Sequence, residues 1–397
     1  MTNELIASMV LAIWLYLLSG RGAFWLARER DDGSAAGKGF WPAIAAIIPA
    51  RDEAECVGAT VASLLRQDYP GEFTVILVDD QSRDATAQVA RDAAAALGAG
   101  MRLNVLAGRA LPSGWTGKLW AQQQGVEAAE AASPPAYLLF TDADIVYGPD
   151  ALKGLVARAQ SGGYVLTSLM VKLRCVTLAE RIFIPAFVFF FQMLYPFAWA
   201  NDPRRATAAA AGGCMLVRRE VLREAGGMAA IRSALIDDCA LAKKLKASGP
   251  IWIGLTERVS SNRAYPALED IRRMVSRTAY AQLNYSPLLL AGTVLGLTIT
   301  YVAPVLLTAF AGGTARLLGI VAWLAMALAF QPTLRFYRVS MLWGLALPAI
   351  AAIYMAFTLD SAYQHARGRG GMWKGRAQGN IQDNIQDNIQ DNISELR

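Results

Sequence analysis

Closely spaced acidic residues follow a predicted strand in the middle of the chain. Asp142 and Asp144 come directly after the apolar run at 137–141 and are separated by one residue. Carboxylate oxygens are the ligands that Mg²⁺ and Mn²⁺ prefer, usually together with phosphate oxygens and water. A cation held there could neutralise charge that builds on a diphosphate. The pair therefore predicts a site for Mg²⁺ or Mn²⁺, with a solvated loop or a helix cap as the alternative.

Two further polar clusters stand where predicted strands end. One cluster runs from Pro49 to Glu53 and includes Arg51, and in the other Asp79 and Asp80 end the run FTVILVDD. A carboxylate at such a place could accept hydrogen bonds from a base or a ribose. Capping of the following turn is the alternative for the two aspartates. For the first cluster the alternative is an ordinary helix N-terminus, where the helix dipole favours acids.

A third acidic pair, Asp237 and Asp238, precedes the predicted helix at 239–247. A carboxylate within hydrogen-bond reach of a hydroxyl can take its proton as a new bond forms, so this pair is a candidate general base. The turn GWTGK, which ends at Lys118, also precedes a predicted helix. Its backbone N–H groups and its lysine could hold a phosphate or a sugar. Helix capping and a plain surface loop are the respective alternatives.

These clusters lie within residues 41 to about 280, where strand-like and helical patterns alternate. Helical spacing separates the short apolar runs that predict strands at 43–48, 73–78, 103–106, 137–141 and 164–170. Such alternation is typical of an α/β domain with a mainly parallel sheet and helices on both faces. Because ligands bind outside the carboxyl ends of the strands in such sheets, we expect the clusters to lie close together.

The composition excludes several classes of protein. Of 397 residues, 54% are apolar and 18% are charged, against roughly 25% charged in a typical soluble domain. A disordered chain and a fully soluble protein are both disfavoured. The net charge is +6, from 38 basic and 32 acidic residues, but no basic block resembles a nucleic-acid-binding arm. One histidine and four cysteines without a CxxC pair argue against a histidine-based triad and a zinc knuckle.

Long uncharged stretches predict membrane segments at both ends of the chain. A spanning helix needs about 20 apolar residues, and we predict a retained anchor over residues 1–28 and transmembrane helices over 286–360. Basic residues after the first helix place the middle of the chain in the cytoplasm, as in a multi-pass protein of the cell inner membrane. If the stretches at 288–313, 317–334 and 339–359 all span, the basic residues after 366 fall on the opposite side, so one stretch is expected to be interfacial or re-entrant.

Three other segments carry predictions of their own. The uncharged stretch Ile182–Asn201 lies between two of the acidic pairs, and a single membrane pass would separate them, so we predict an interfacial segment at 182–201. Arg277 lies on a predicted helix that leads into the membrane and could bind either a diphosphate or anionic lipid. Residues 366–397 are basic and then of low complexity, which predicts a disordered tail.

The motifs together resemble a known family. Over residues 41–280 the chain is similar to family 2 glycosyltransferases of GT-A fold, in the order PARDEAE, VDDQSRDAT, GWTGK, TDAD, AGGCMLVRRE and IDDCALAKKL. The membrane layout and GWTGKLWAQQQG also resemble hopanoid-biosynthesis-associated glycosyltransferases, which are relatives of ceramide glucosyltransferases. The resemblance implies an inverting transfer from a nucleotide-diphosphate sugar, commonly a UDP-sugar. A lipid is the expected acceptor, with a hopanoid as the candidate.

The resemblance also implies roles for particular residues. Asp142 and Asp144 match the metal-binding DxD motif, and Asp238 matches the base, with Asp237 where the family has glutamate. The QxxRW motif of processive relatives is altered, since only Arg277 remains in the nearest stretch, which argues for transfer of a single sugar. With the residue patterns above, the predicted donor-binding set is Pro49, Arg51, Glu53, Asp79, Asp80, Lys118 and Arg277.

Two other functions fit the same sequence. A polyprenyl-phosphate glycosyl synthase, or another sugar-phosphate transferase, would use similar nucleotide and metal chemistry. A membrane scaffold with a degenerate, non-catalytic domain is the second alternative. The acid-labile linkage of a glycosyl phosphate would identify the first, and release of nucleotide diphosphate from a donor would exclude the second.

Overall fold

The computed structural model describes residues 2–32, 39–368, 370–373 and 376–377, and the chain forms two compact units. The α/β unit comprises residues 29–173, 200–263 and those from 371 onwards, and the helical unit comprises residues up to 28, 174–199 and 264–370. We predicted one domain over 41–280, whereas two of its segments group with the helices. Most of the predicted tail at 366–397 lies outside the described residues.

The α/β unit contains an eight-stranded sheet. Its strands are β1 (Ile44–Ala50), β2 (Phe73–Asp79), β3 (Leu103–Ala107), β4 (Tyr137–Thr141), β5 (Ile145–Tyr147), β6 (Leu166–Lys172), β7 (Cys214–Arg218) and β8 (Ile251–Ser261). They are ordered β3-β2-β1-β4-β7-β6-β8-β5. Two further strands, β9 (Met372–Trp373) and β10 (Arg376–Ala377), form a separate antiparallel pair.

Among the described strands four pairings are parallel and three are antiparallel, so the sheet is mixed and the prediction of a mainly parallel sheet is confirmed only in part. Strands β1 to β4 are parallel to one another where they pair, but β7 is antiparallel to both β4 and β6. Strand β8 is parallel to β6 and antiparallel to β5. A strand buried on both faces is an apolar run whatever its direction, so the sequence did not reveal the reversal at β7.

The helices account for most of the remaining described chain. In chain order they are α1 (Thr2–Ser19), α2 (Val57–Leu65), α3 (Thr86–Ala95), α4 (Gly117–Ala132), α5 (Ala151–Gly162), α6 (Leu178–Leu194), α7 (Phe197–Asn201), α8 (Arg219–Glu224), α9 (Asp237–Lys246), α10 (Leu268–Ser276), α11 (Pro287–Leu297), α12 (Ala303–Phe310), α13 (Gly313–Tyr337) and α14 (Leu347–Ala366). A π-helix, Thr298–Val302, joins α11 to α12. Short 3₁₀ helices lie at Phe24–Leu26, Gly100–Arg102, Met228–Ile231, Ala281–Leu283 and Met341–Gly344.

Side chains alternate across the sheet and fill a core on each face. In β1, Ile44 and Ile48 join the core formed with α2, α3 and α5, whereas Ile47 joins the core formed with α4 and α9. Helix α4 packs so closely on β1 that a Cβ at Gly125 would lie 2.5 Å from Cγ2 of Ile47. This two-sided burial confirms the α/β class and fixes α4, which begins at the candidate site.

The segment predicted to be interfacial is mostly helix α6. Thr177 and Glu180 form a capping box at the start of α6, which satisfies N–H groups that a helix leaves unbonded there. The helix ends at Leu194, just before Pro196, and α7 follows. On α6, Phe189 packs against Phe24 and Phe330 of the same unit, with ring centroids 5.3 and 5.1 Å apart. Contact of this segment with a membrane surface stays a prediction.

Three helices within the described residues are long and apolar enough to cross a membrane. They are Thr2–Ser19, Pro287–Phe310 and Gly313–Tyr337. The stretch at 339–359, predicted as a further span, is divided between a 3₁₀ turn and α14. Helix α14 continues to Ala366 and carries the ionisable residues Asp360 and His365 in its last turns, which makes it a poorer candidate than the other three.

A tryptophan of α1 satisfies a backbone group that a proline leaves unbonded. Pro304 has no N–H, so it cannot donate to the carbonyl of Thr300 four residues earlier. Nε1 of Trp14 donates to that carbonyl instead, at 2.8 Å, and the Trp14 ring packs edge-on against Tyr301 at 5.6 Å. An unbonded carbonyl is costly in an apolar environment, so this contact fastens α1 to the π-helix.

Replacement of Trp14 by phenylalanine should therefore destabilise the protein. Trp14→Phe keeps an aromatic ring but leaves the Thr300 carbonyl without its donor, a loss of about 1–3 kcal/mol. Thermal unfolding in detergent should show a lower midpoint. Trp323→Phe is the matched control, because its indole donates to Leu345 at an exposed position and its midpoint should fall less. Equal midpoints for the two variants would contradict this account.

Candidate active site

The chain turns in an unusual backbone conformation just after β1 and β2. Asp52 has φ = 50° and Gln81 has φ = 56°, in the left-handed region that residues other than glycine seldom adopt. Strained backbone of this kind clusters at functional sites. Between the two turns, the guanidinium of Arg51 donates to the carbonyl of Asp80 and lies 3.8 Å from its Oδ2. Both side chains are buried, so this pair joins the ends of the two strands.

Two other predicted donor-binding residues lie at the same strand ends. Pro49 is the last but one residue of β1, and Asp79 ends β2. Oδ1 of Asp79 accepts a hydrogen bond from the N–H of Ser82 at 3.0 Å, so this aspartate caps the turn, as the alternative interpretation of the sequence expected. Contact of these residues with a nucleotide stays a prediction.

A single lysine joins acids from two distant parts of the sequence. Thr116 caps the start of α4 by accepting from the N–H of Leu119, and Lys118 follows in the first turn. Its Nζ lies 3.0 Å from Oδ1 of Asp142 and 3.1 Å from Oδ2 of Asp237, and only 15% of its side chain is exposed. The acid that follows β4 and the acid that begins α9 therefore meet at one buried ammonium group.

The second acid of α9 is held by backbone groups beside the lysine. Oδ2 of Asp238 accepts from the N–H of Gly212 at 2.9 Å, and Oδ1 accepts from the N–H of Cys239 at 2.7 Å. A Cβ at Gly212 would lie 3.2 Å from Nζ of Lys118 and 3.5 Å from Oδ2 of Asp238. Glycine therefore keeps open a space that the lysine and the carboxylate line.

Burial dominates the electrostatics of these acids. Burial raises the pKa of Asp142, as do the charges of Asp144 and Asp237, while Lys118 opposes the shift. Burial and then the charge of Asp237 raise the pKa of Asp238 to about 6, against the effects of Lys118 and of two backbone N–H groups. Burial alone would lower the pKa of Lys118, but the neighbouring acids raise it above its usual range.

Asp144, two residues after Asp142, pairs with a different positively charged side chain. This side chain belongs to Arg263, which the sequence did not indicate as a site residue. Oδ2 of Asp144 lies 3.0 Å from Nε of Arg263 and accepts from Oγ of Ser261 at 2.9 Å. Nη2 of Arg263 lies 2.7 Å from both carboxylate oxygens of Glu53. Arg263 follows β8 and ends the polar stretch at 260–263, and that run of polar residues was the available signal.

The negative charge and the oxygen atoms of these acids suit a hard divalent cation. The acids do not, however, surround one position as a complete set of ligands. Within the described residues, no group of three or more histidine, cysteine, aspartate or glutamate side chains is placed to hold a metal ion. Oδ2 of Asp237 is buried and near Lys118, yet no described group gives it a well-aligned hydrogen bond. Lys118 and Arg263 each face more than one acid of the set Glu53, Asp142, Asp144, Asp237 and Asp238. A divalent cation that also takes phosphate oxygens would suit such a group of carboxylates.

The remaining predicted donor-binding residue belongs to the helical unit. Arg277 follows α10 directly and is exposed. Its neighbour Arg272 forms ion pairs with Glu269 and Asp360. The role of Arg277 in donor binding stays a prediction.

Removal of the central ammonium group should destabilise the α/β unit. In Lys118→Met the nearby acids lose their shared counter-charge, and breaking a buried ion pair costs about 3 kcal/mol or more. We expect a lower thermal midpoint at neutral pH, with a smaller deficit near pH 5, because protonation removes the repulsion. Lys153→Met is the control, since its pair with Asp68 is exposed, and it should unfold like the wild type. A Lys118→Met midpoint equal to that of the control would contradict the role of this lysine.

Comparisons with known proteins identify a family to which part of the α/β unit is similar. Residues 45–226 match the family described as Glycosyl transferase family 2. The matched segment includes β1 to β4, Lys118 and both acids of the DxD motif, whereas Asp237, Asp238 and Arg263 lie beyond it. A comparison with curated protein sequences finds no match.

Solved structures also match this chain, at 16–19% sequence identity. The mannosyltransferase PcManGT from Pyrobaculum calidifontis, in complex with GDP-Man and Mn²⁺, is 19% identical, covers 94% of this chain and 100% of its own, and has a TM-score of 0.51. Glucosyl-3-phosphoglycerate synthase of M. tuberculosis is 18% identical over 61% of this chain and 80% of its own, with a TM-score of 0.38. TarS 1–349 of S. aureus is 16% identical over 84% and 95%, with a TM-score of 0.37. Residues 45–226 are therefore similar to glycosyl transferase family 2, and the α/β unit has the mixed sheet of a GT-A-like fold.

Proposed function

We propose that this protein transfers one sugar, with inversion, from a nucleotide-diphosphate sugar to the hydroxyl of a membrane lipid. The observation that supports this most is the meeting of Asp142 and Asp237 at Lys118, with Asp238 alongside. If Asp142 contacts the diphosphate and Asp238 is the base, both groups lie at one site, and the match of residues 45–226 to glycosyl transferase family 2 supports this interpretation. The altered QxxRW motif at 274–278 supports a single transfer rather than polymer extension.

In the proposed reaction Asp238 acts as the general base. The acceptor hydroxyl gives its proton to the Asp238 carboxylate while its oxygen bonds to the anomeric carbon of the donor sugar. The bond from that carbon to the diphosphate oxygen breaks, and the nucleotide diphosphate leaves with the electron pair. Asp238 suits this role better than Asp237, because Asp237 is paired with Lys118 while burial raises the pKa of Asp238.

The donor would be bound by groups at the ends of β1, β2 and β4. We assign nucleotide contacts to Arg51, Glu53 and Asp80, and a phosphate or sugar contact to Lys118. Asp142 and Asp144 would hold Mg²⁺ or Mn²⁺, which when bound would neutralise charge on the diphosphate. The structure of PcManGT with GDP-Man and Mn²⁺ supports this class of donor and cofactor, and UDP-sugars are the first donors to test.

A lipid acceptor follows from the apolar helices. Three candidate spans and the basic residues that follow α1 support an arrangement with the α/β unit in the cytoplasm. In this arrangement Arg335, Arg338 and the basic residues after 366 also face the cytoplasm. With four spans, the basic residues after 366 would lie on the opposite side of the membrane. A lipid hydroxyl, with a hopanoid as the candidate, would stay in the bilayer of the inner membrane while the soluble donor enters from water.

The deciding experiment is product analysis with the purified protein in lipid. We would supply labelled UDP- and GDP-sugars with Mn²⁺ and analyse the lipid extract by mass spectrometry, expecting a lipid that carries one sugar. A product whose sugar is released by mild acid would favour a glycosyl phosphate, and hence a polyprenyl-phosphate glycosyl synthase. No transfer and no donor-stimulated release of nucleotide diphosphate would refute the enzymatic function and favour a scaffold.

Asp238→Asn should abolish transfer without loss of donor binding. The amide cannot accept the hydroxyl proton, so we expect kcat to fall by about 10²–10⁴-fold, while the dissociation constant of the nucleotide stays within about twofold, a difference of roughly 0.4 kcal/mol. Asp202→Asn is the control, because Asp202 pairs with Arg204 at an exposed position, and it should retain full activity. Full turnover by Asp238→Asn would eliminate Asp238 as the base and leave Asp237 to test.

The pH profile should report the same carboxyl group. The base must be unprotonated to act, and the pKa of Asp238 is raised to about 6. The value of kcat/KM should therefore fall about tenfold for each pH unit below 6 and level off above it. An ordinary aspartate would keep its activity down to about pH 4. A profile that is flat between pH 5 and 7 would contradict the assignment.

A further inference from the structure

We propose that Arg263 is a positioning residue that fixes the distance between two acids of the donor site: Glu53 on the nucleotide side and Asp144 on the metal side. This inference rests on the proposed function, because it assumes that Glu53 and Asp144 contact the donor and its cation. Arg263 itself need not touch either of them. Its role would be to fix the two acids in the arrangement that the nucleotide-diphosphate requires.

The guanidinium group bridges the two acids directly. Its Nε lies 3.0 Å from Oδ2 of Asp144, and its Nη2 lies 2.7 Å from both oxygens of Glu53. The Glu53 and Asp144 side chains are only 8% and 11% exposed, against 29% for Arg263. A planar guanidinium holds its N–H groups in a rigid fork, so one side chain sets the separation of two nearly buried carboxylates.

The residues before Arg263 hold the same aspartate. Oγ of Ser261 donates to Oδ2 of Asp144 and accepts from the N–H of Arg263 at 3.2 Å. The N–H of Asn262 donates to the backbone carbonyl of Asp144 at 2.9 Å. The segment 261–263 therefore binds both the main chain and the side chain of Asp144, and Arg263 extends that hold to Glu53.

The bridge connects three segments that are far apart in sequence. Glu53 follows β1, Asp144 lies between β4 and β5, and Arg263 follows β8. Without the arginine, two nearly buried carboxylates would lose their shared counter-charge and would repel each other. The donor would then have to bring them together as it binds, so its affinity should fall even where the fold survives.

Strand β8 offers a matched control for this effect. Arg258 also bridges two acids, with Nη2 3.4 Å from Asp31 and Nη1 3.1 Å from Asp150, and its side chain is 20% exposed. Its removal also breaks the contacts of one arginine with two acids in the same unit, but neither acid is assigned to the donor site. A loss of donor binding specific to Arg263 therefore reports positioning rather than general stability.

The test measures nucleotide binding by the full-length wild type, Arg263→Gln, Arg263→Lys and Arg258→Gln in detergent. UDP and GDP are titrated by calorimetry at saturating Mn²⁺, Mn²⁺ is then titrated at fixed nucleotide, and thermal unfolding is recorded for each protein. Arg263→Gln should weaken nucleotide and Mn²⁺ binding by about ten- to a hundredfold, as removal of supporting partners does at other cation sites. Arg263→Lys should lie in between, because lysine keeps the charge without the fork. Arg258→Gln should bind like the wild type.

The outcomes separate this inference from the proposed function. Wild-type affinity in Arg263→Gln would overturn the positioning role alone. Equal losses of binding in Arg263→Gln and Arg258→Gln, with equal losses of thermal stability, would also overturn it, because both arginines would then be merely structural. Absence of nucleotide binding by the wild type would overturn the proposed function and this inference together.

Discussion

Charge compensation around one buried ammonium group constrains the candidate site more than any other interaction. Lys118 lies within 3.1 Å of acids that come from the end of β4 and the start of α9. Neither the lysine nor the acids would be stable there alone, because an unpaired charge in a buried place is costly. In the folded protein this ammonium group therefore links the start of α4, the end of β4 and the start of α9.

The mixed sheet explains how the other groups reach this point. The parallel part, from β3 to β4, presents its carboxyl ends at one edge, where Arg51 and Asp80 meet. The antiparallel strand β7 runs the opposite way, so Gly212 lies just before its start, near the end of β4. Strand β8 runs in the same direction as β4, because it is parallel to β6 and both β6 and β4 are antiparallel to β7. It therefore ends at the same edge and delivers Arg263. The reversal at β7 adds a glycine to the site, whereas the arginine comes from the carboxyl end of a strand that runs with the parallel set.

The sequence predicted much of the parallel half, because continuous apolar runs and acidic strand ends are local signals. The predicted run at 73–78 became β2, Phe73–Asp79, and the predicted helix from Lys118 became α4. Strands β5 and β8 and the direction of β7 were missed, since periodicity does not encode pairing direction. Arg263 was missed for a related reason. Its partner Glu53 lies about two hundred positions away, and composition cannot reveal which charges will meet.

The bond between Trp14 and the carbonyl of Thr300 has a consequence for biosynthesis. The indole is made near the beginning of translation, but its acceptor emerges from the ribosome only after all strands of the eight-stranded sheet have been synthesised. Domains generally fold as units while the chain grows. The sheet can therefore fold before α1 makes its contact with the carbonyl of Thr300. Closure of the helical unit is thereby a late event, and a nascent chain truncated before residue 300 would leave the first helix without its acceptor.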